Sequence, residues 1–503
     1  MIDRTPLGAQ LSETVMSAAK GSDCQSKTPS QPMKRTRPAM LLASVMALTT
    51  TAGAQVSSAQ SAPTTLTLEQ ALQYALDHYP TVRAALEQVA ASTANVSVAK
   101  AAYLPRFDSV WQTNRATANN VFGQLLPQSV LPSISGPVLP STSGESVWGS
   151  AVGGLLSWEP VDFGLRSAIV LEAEAGVVRA RAEEGLTRLA VQNAVGGAFL
   201  AVVSAQQALA AADADVQRRE VLARAAHTLV DNQLRPGAEA SRADAELAAA
   251  RTRAIQARAA VTLGQTTLAR MLGLSNGQVG VNTARLLDNI VSATPLTVPP
   301  PQHPLVQSEQ AAVDLARARE TVLTKTDRPR LYLQSSVSAR GTGANPDAVF
   351  EGGADGLGLE RANWAAGVQV VFPNLFDLST LRSRRAAAGA LTRAESARYD
   401  EAVLTVTSQQ RAADVMVDAA RAVAQNTPIQ LTAAQQSEAQ ARARYDAGLA
   451  GIIEVAEAQN LLAGAEYQDA AARVDVWRAL LAKAVAQGSL APLVELLRAS
   501  GVQ

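Results

Sequence analysis

One arrangement of prolines around a helical stretch occurs twice in this chain, and it constrains the possible folds more than any other feature. In the first copy, Pro80 and Pro105 flank an apolar helical stretch. In the second copy, Pro304 and Pro329 flank a similar stretch, and the two prolines of each pair are 25 positions apart. A repeat of this length indicates an internal duplication, so we expect two halves with the same order of elements.

Each helical stretch is followed by two segments in which residues of alternate polarity give the period of a β-strand. These segments begin near Phe107, Val147, Leu331 and Trp364, and a long polar loop separates the two members of each pair. Strands of about ten residues suit a tilted β-strand that crosses an outer membrane. Because four strands are too few to close a membrane barrel, we expect oligomerisation, and three chains would supply a barrel of twelve strands.

Two very long helices are predicted, one in each half, at Leu165 to Val230 and at Leu381 to Tyr445. Neither is expected to be interrupted by proline, and about 65 residues of α-helix would span roughly 100 Å. Each turns back near a glycine into a return helix, at about 240–272 and 454–486. Helices this long need partners along their whole length, so we expect a mainly α fold of long coiled-coil helices with a small β part.

The N-terminus has the pattern of an export signal. A basic segment precedes an apolar stretch at 39–48 and a small-residue cleavage site at 52–54. We therefore expect residues 1–54 to be an N-terminal extension and signal peptide, with the true start at Met33 and cleavage after Ala54.

The single cysteine, Cys24, lies upstream of this cleavage site. The mature chain would then contain no disulfide, no cysteine metal ligand and no cysteine for lipid attachment, and we expect it not to be lipidated. We predict a first repeat at 55–298, a second repeat at 299–488 and a C-terminal tail at 489–503.

The composition argues against nucleic-acid binding and against catalysis. The 44 basic residues balance the 44 acidic ones, so no net charge favours nucleic acid. We find no Ser/His/Asp set, no phosphate loop and no metal-ligand spacing. His78 and His303 lie at equivalent starts of the two repeats, where capping or loop roles are expected. We therefore expect no enzymatic activity, no catalytic residues, no metal site and no cofactor.

The ordered set of motifs on this duplicated frame resembles the TolC-like outer-membrane efflux family. Thr67 to Pro80 is similar to the opening helix of the family, and Pro160 to Gly164 is similar to the joint after its second strand. Asp446 to Leu449 is similar to its Gly-Leu turn at the helical tip, and Asp231 to Leu234 is a weaker counterpart. The resemblance covers about residues 55–488.

The resemblance implies a homotrimer with a 12-stranded β-barrel in outer membrane lipid and an α-barrel that extends into the periplasm. It also implies a periplasmic adaptor protein and an inner-membrane transporter as partners. The expected function is therefore the outer membrane duct of a tripartite efflux or type I secretion system. Drugs, metals, proteins and small metabolites all stay open as cargo, because the transporter would select it.

The resemblance also places two acidic residues of the closed tunnel end on Glu454 and Glu457. Residues three apart share a helix face, so a trimer would carry two stacked rings with six carboxylates around one axis. Such rings would favour cations over anions. A solvated helix face is the alternative interpretation of this pair.

The two tips align without a gap at an offset of 215 positions. Tyr445 matches an aromatic residue that helps to hold the gate lock in the family, and the resemblance makes Glu239 a further gate residue. Ala450 stands where some members have the basic residue of that lock. Arg235 or Arg442 could supply the missing positive charge.

The turn residues Leu234, Gly448 and Leu449 are the expected contacts with the adaptor. The first tip has Gln233 where the second has Gly448. A purely structural left-handed turn is an equally open interpretation of Gly448.

An exported, soluble coiled-coil scaffold without channel activity is the alternative to a duct. It would explain the long helices but not two hairpins that carry tryptophans at 111, 148, 158 and 364. Dependence on detergent and a trimer that dissociates on heating would distinguish the channel from the scaffold.

Overall fold

The computed structural model describes residues 65–120, 124–131, 138, 142, 144–274, 279–283, 286–287, 299–344, 354–373 and 377–499. All of them lie in the unit from Ser61 to Gln503. The predicted start at Met33, the signal peptide, the cleavage after Ala54 and Cys24 lie outside the described residues.

The described residues form two halves that share the order helix, strand, strand, long helix and return helix, as the duplication predicts. The first half comprises β1 (Thr65–Leu66), α1 (Leu68–His78), α2 (Pro80–Ala101), β2 (Arg106–Thr117), β3 (Ser146–Val161), α3 (Leu165–Asp231), α4 (Gly237–Met271) and β4 (Gly280–Val281). The second half comprises a 3-10 turn (Pro300–Gln302), α5 (Pro304–Lys325), β5 (Arg330–Thr342), β6 (Arg361–Val371), α6 (Leu378–Asp446), α7 (Ile452–Ala486) and α8 (Ala491–Ala499). The helices α2 and α5 have 22 residues each, and both begin at the prolines that mark the repeat.

Local signals explain where the first helices begin. The side chain of Thr67 accepts a hydrogen bond from the backbone N–H of Gln70, and the side chain of Gln70 accepts one from the backbone N–H of Thr67. These two bonds form a capping box. Pro80 cannot donate a backbone hydrogen bond, so it ends the first helical run and starts α2 at its first position.

The strands β2, β3, β5 and β6 form one antiparallel sheet in that order. The register places Trp111 opposite Val152 and Val337 opposite Trp364, so their side chains point to one face. This face is apolar and exposed. Its exposed large side chains are Phe107, Trp111, Leu156, Trp158, Val337, Trp364, Val368 and Val370. The four strands have 12, 16, 13 and 11 residues, somewhat longer than the expected ten.

The opposite face of the sheet is polar and carries part of the connection between β2 and β3. Nδ2 of Asn114 donates to the carbonyl of Gln124 at 2.6 Å. Leu131 is buried against Gly153, where a methyl group in place of the glycine hydrogen would collide with the leucine. The segment 124–131 therefore folds back over this face.

The helix α3 adjoins the sheet through a buried ion pair. Oδ2 of Asp162, just after β3, accepts hydrogen bonds from the backbone N–H of Arg166 at 2.6 Å and from its Nε at 2.8 Å. The guanidinium also lies 4.8 Å from the ring centroid of Tyr103, at the end of α2. Burial raises the pKa of the Asp162 carboxyl, but the hydrogen bonds from Arg166 and Gly164 outweigh it and hold the pKa below its usual value. The joint therefore fixes the direction in which α3 leaves the sheet.

The helix α3 has 67 residues and α6 has 69, as the pattern predicts, but Pro428 lies inside α6. The expectation of a proline-free second helix is therefore wrong. Proline has no N–H to donate to the carbonyl of Ala424, one turn earlier. The helix continues through it, because packing against α7 outweighs the local preference.

The main core lies where α1, α3, α7 and α8 meet. Phe199 and Leu200 of α3 pack there with Trp477 of α7, whose indole N–H donates to the carbonyl of Leu286 at 2.6 Å. Leu497 of α8 is buried in the same cluster, so the predicted C-terminal tail contains a packed helix that the sequence reasoning missed.

Among the described helices, α3 alone has an 18-residue window of mean hydropathy 1.5, apolar enough by composition to cross a membrane.

Candidate gate at the helical tips

Two helical hairpins end side by side at the far end of α3. The first hairpin is α3 and α4, and the second is α6 and α7. In the first tip, the N–H of Leu234 donates to the carbonyl of Leu229. In the second tip, the N–H of Leu449 donates to the carbonyl of Arg444. This is the Schellman ending of a helix, and it requires a left-handed residue just before the leucine.

That left-handed residue is Gly448 in the second tip, with φ of 74°, and Gln233 in the first, with φ of 61°. The left-handed turn considered for Gly448 is therefore present, and its contact with an adaptor stays a prediction. Gln233 takes the same conformation although a side chain disfavours it, so the first tip stores backbone strain.

Arg235 joins the two tips. Its Nη2 donates to the carbonyl of Ala450 at 3.2 Å, and its Nη1 lies 3.6 Å from Oε1 of Glu239. The guanidinium also lies over the ring of Tyr445, at 5.2 Å from the centroid. At the offset of 215, Arg235 is the counterpart of Ala450 itself. A guanidinium from the first tip therefore lies beside the position at which the second tip carries alanine.

Tyr445 is 2% exposed, and its hydroxyl donates to Oε2 of Glu239 at 3.4 Å. Burial raises the pKa of this phenol, and the negative charge of Glu239 raises it further, while the positive charge of Arg235 acts in the opposite direction. The phenol therefore stays protonated and serves as a donor. Arg235, Glu239 and Tyr445 form the tip cluster, which ties α4 and its preceding turn to the end of α6.

An apolar layer supports the tip cluster. Its buried members come from all four helices, and they are Ala223, Ala226, Ala243, Tyr445, Ile452 and Val455. The small alanines allow the helices to approach closely, and the layer excludes water beneath the polar contacts.

Glu454 and Glu457 are both exposed at the start of α7, one turn apart. Oε1 of Glu454 lies 3.2 Å from Nε of Arg444, an ion pair that the sequence reasoning missed. Within the described part of the chain, Glu457 forms no ion pair. The spacing predicted the shared helix face, but Arg444 is on another helix and only the fold brings it near Glu454.

The tips present apolar side chains to solvent. Leu234 is 68% exposed and Leu449 is 72% exposed. Exposed leucines at the end of a long hairpin have no packing role within the chain, so they are candidates for contact with another protein.

The two histidines at the repeat starts, His78 and His303, form local contacts of the expected kind. Nδ1 of His303 accepts from the N–H of Leu305 at the start of α5, and Nδ1 of His78 lies 3.0 Å from the carbonyl of Tyr74. Among the described residues, no group of three or more His, Cys, Asp or Glu side chains could hold a metal ion.

Comparison with known proteins gives a family and a fold. The family described as outer membrane efflux protein matches residues 71–274 and 301–487, one segment in each half. Protein CyaE of Bordetella pertussis is 25% identical over 404 residues, which cover 78% of this chain and 78% of that protein.

Two solved structures are similar to this fold. The outer membrane protein VceC from Vibrio cholerae has a TM-score of 0.66 and 17% identity, covering 84% of this chain and 96% of its own. The CmeC outer membrane channel of Campylobacter jejuni has a TM-score of 0.68 and 15% identity, and the match covers 86% of this chain and 89% of the CmeC chain. Since the family match extends over most of the sequence in both halves, the chain belongs to the outer membrane efflux protein family.

Proposed function

We propose that this protein is the outer membrane duct of a tripartite efflux or type I secretion system. It would pass substrates from a periplasmic adaptor and an inner-membrane transporter across the outer membrane. The observation that carries the proposal is the placement of an exposed apolar sheet face at one end of α3 and a tied tip at the other. A helix of this length separates the two by roughly 100 Å, which suits a duct that starts in one membrane and extends toward another.

The duct would be a homotrimer. Within the described chain, β2 and β6 each pair along one edge, so the sheet ends in two open edges. Three sheets joined edge to edge would give a 12-stranded barrel with the tryptophan face toward lipid. The helix α6 also exposes large apolar side chains that a neighbouring chain would cover in an α-barrel, namely Leu391, Leu404, Val415, Met416, Val423 and Ile429.

The tips would form the gate. Glu454 and Glu457 would line the closed end of the tunnel, and Glu239 and Tyr445 would hold it closed through Arg235. The distances within the tip cluster support this arrangement. Because Glu454 is paired with Arg444, Glu457 would provide most of the uncompensated negative charge at the constriction.

The docking end would be the tip surface formed by Leu234, Gly448 and Leu449, which would contact the adaptor.

The same proposal retains the predicted repeats at 55–298 and 299–488, with a mature chain that begins after Ala54 and is not lipidated. The cargo would be selected by the transporter.

Planar-bilayer conductance tests the duct and its gate. Purified trimer in detergent should insert as a channel that prefers cations. Glu454→Gln with Glu457→Gln should reduce that preference and weaken block by multivalent cations, because the ring loses its charge without losing its shape.

The control is Glu87→Gln with Glu495→Gln, which removes the same number of charges from two exposed residues away from the tip. Equal loss of selectivity in both variants would contradict the gate assignment. A detergent-independent monomer without conductance would favour the soluble scaffold.

A further inference from the structure

We propose that the second hairpin of each protomer bends at Pro428, and that the ion pair between Arg218 and Glu466 opposes this bend. The inference deepens the proposed function and rests on it, since it concerns how the tip would open. It assigns positioning roles to residues about 20 Å or more from the tip cluster.

Pro428 gives α6 a weak point that α3 lacks. It lies 18 residues before the end of α6, roughly 27 Å from the tip. The missing N–H leaves the carbonyl of Ala424 without its helical donor, so bending is easier here than elsewhere in the helix. The helix α3 contains no proline along its 67 residues. The two hairpins therefore differ in stiffness, and the second is the one that can bend.

A buried contact at the same level keeps the two helices of the second hairpin together. Oγ1 of Thr427 donates to Oδ1 of Asp469 at 3.0 Å, and both residues are buried. Nη2 of Arg473 lies 2.9 Å from the other oxygen of Asp469. Because α7 is fastened to α6 at the weak point, the two helices would bend as a unit rather than slide past each other.

Two polar contacts join α7 to α3 on the tip side of Pro428. Arg218 donates two parallel hydrogen bonds to Glu466, from Nη1 to Oε1 at 3.0 Å and from Nη2 to Oε2 at 2.7 Å. Arg219 donates to the side chain of Asn460 at 2.7 Å. Glu466 lies roughly 21 Å from the tip, between the weak point and the tip cluster. A bend of the second hairpin away from the first must stretch or break these bonds.

The first hairpin is the fixed partner. Arg219 is 1% exposed and is held by Asp215 on its own helix and by Glu246 on α4. Arg253 of α4 also bonds to Asp215, at 2.9 Å. Charge-assisted bonds in a buried site are among the stronger polar contacts, so α3 and α4 would move together as one body.

Charged groups hold the second hairpin at two heights, in the tip cluster and in the pair of Arg218 with Glu466, and the single bond from Arg219 to the neutral side chain of Asn460 lies between them. Loss of the tip cluster alone would free the last turns but leave the hairpin fastened farther up. Loss of both would allow a bend at Pro428, and a bend of about 10° over this lever moves the tip by about 5 Å.

Spin labels at one exposed tip position test this in the intact trimer. Ala447→Cys is suitable because Ala447 is exposed and the single cysteine of the sequence, Cys24, lies in the segment expected to be removed from the mature chain. The distance between labels of the three protomers should lengthen slightly in Arg235→Ala. It should lengthen by several more ångströms when Glu466→Gln is added.

The matched control is Glu220→Gln in the Arg235→Ala background. Glu220 pairs with Arg251 at 2.8 Å, but both belong to the first hairpin, so the label distance should not change further. Charge exchange by Arg218→Glu with Glu466→Arg should restore the shorter distance. The proposal is overturned if Glu466→Gln and Glu220→Gln have the same effect.

Replacement of the weak point gives a second, independent measurement. Pro428→Ala restores the backbone donor, so in the Arg235→Ala, Glu466→Gln background it should shorten the label distance again. An unchanged distance there would refute the hinge. A trimer whose label distances respond as stated but which never conducts would refute the duct and leave the hinge in place.

Discussion

The backbone of Gln233 shows how one residue departs from the symmetry of the repeat. It occupies the left-handed position that Gly448 occupies in the second tip. A side chain in this region costs about 1 kcal/mol, because Cβ approaches the following carbonyl oxygen. The first tip tolerates the strain because the Schellman bonds on either side hold the turn.

Replacement of Gln233 by glycine should therefore stabilise the first tip by about 1 kcal/mol. Hydrogen exchange of the Leu234 amide, which bonds to Leu229 across the turn, should slow about fivefold. The control is Gly448→Ala, which should accelerate exchange of the Leu449 amide to a similar degree. A methyl group at Gly448 meets nothing within 4 Å, so backbone strain is its whole cost. Unchanged exchange in both variants would contradict the strain argument.

The site residues were only partly predictable from their own sequence. The offset of 215 aligned the tips and marked Gln233 and Ala450 as departures. It could not show that Arg235, rather than Arg442, contacts both Glu239 and the carbonyl of Ala450, because that depends on how the two tips pack against each other. Arg444 was missed for the same reason, since its contact with Glu454 joins two different helices.

At the scale of elements, an exposed ion pair links α3 and α4 one turn above the first tip. Nε2 of His227 lies 2.9 Å from Oδ1 of Asp244. The hydrogen bond to Asp244 and its negative charge raise the pKa of this imidazole above 6.5. Because the pKa of His227 is higher in the folded protein than in the unfolded chain, its ion pair with Asp244 contributes its full stabilisation below about pH 6.5. This stabilisation is lost as the pH rises through the pKa that His227 has in the folded protein.

An NMR titration of the imidazole signals checks this direction. The His227 signal should titrate above the ordinary histidine value, and Asp244→Asn should return it toward that value. His303 provides the control, because burial lowers the pKa of its imidazole, an effect partly opposed by the bond to the Val485 carbonyl. The two histidines should therefore titrate in opposite directions from 6.5. A His227 pKa that does not respond to Asp244→Asn would show that the pair does not form in solution.

The order and length of the helices and strands could be predicted from the hydrophobic pattern of the sequence, but the stiffness of the individual helices could not. Period-two and helical segments were recognised because each depends on nearby residues. Pro428 is visible in the sequence, yet its effect depends on the contacts of Thr427 with Asp469 and of α7 with α3. The helix α8 was missed because nine residues give a weak periodic signal until Leu497 is seen in the core.

At the scale of the whole molecule, the described part of the chain has an exposed apolar sheet face at one end of α3 and two exposed leucines, Leu234 and Leu449, at the other. Single cysteines at Leu234 or Leu449 should cross-link to a co-expressed periplasmic adaptor, because both side chains project from the tip. Val98→Cys is the control, since Val98 is equally exposed but lies on α2, beside the sheet. Cross-linking at Val98 with none at either leucine would place the adaptor elsewhere.

The sequence by itself determined the duplication, the order of helices and strands and the apolar face of each hairpin. These properties depend on residues that are close in sequence, where spacing and turn chemistry dictate the outcome. The tertiary structure decided which groups meet at the tip: Arg235 with Ala450, Tyr445 with Glu239, and Arg218 with Glu466. Each of these contacts joins residues more than 200 positions apart, and the relative rotation of two packed hairpins sets it. That rotation is fixed by the shapes of many buried side chains together, so no local pattern can specify it.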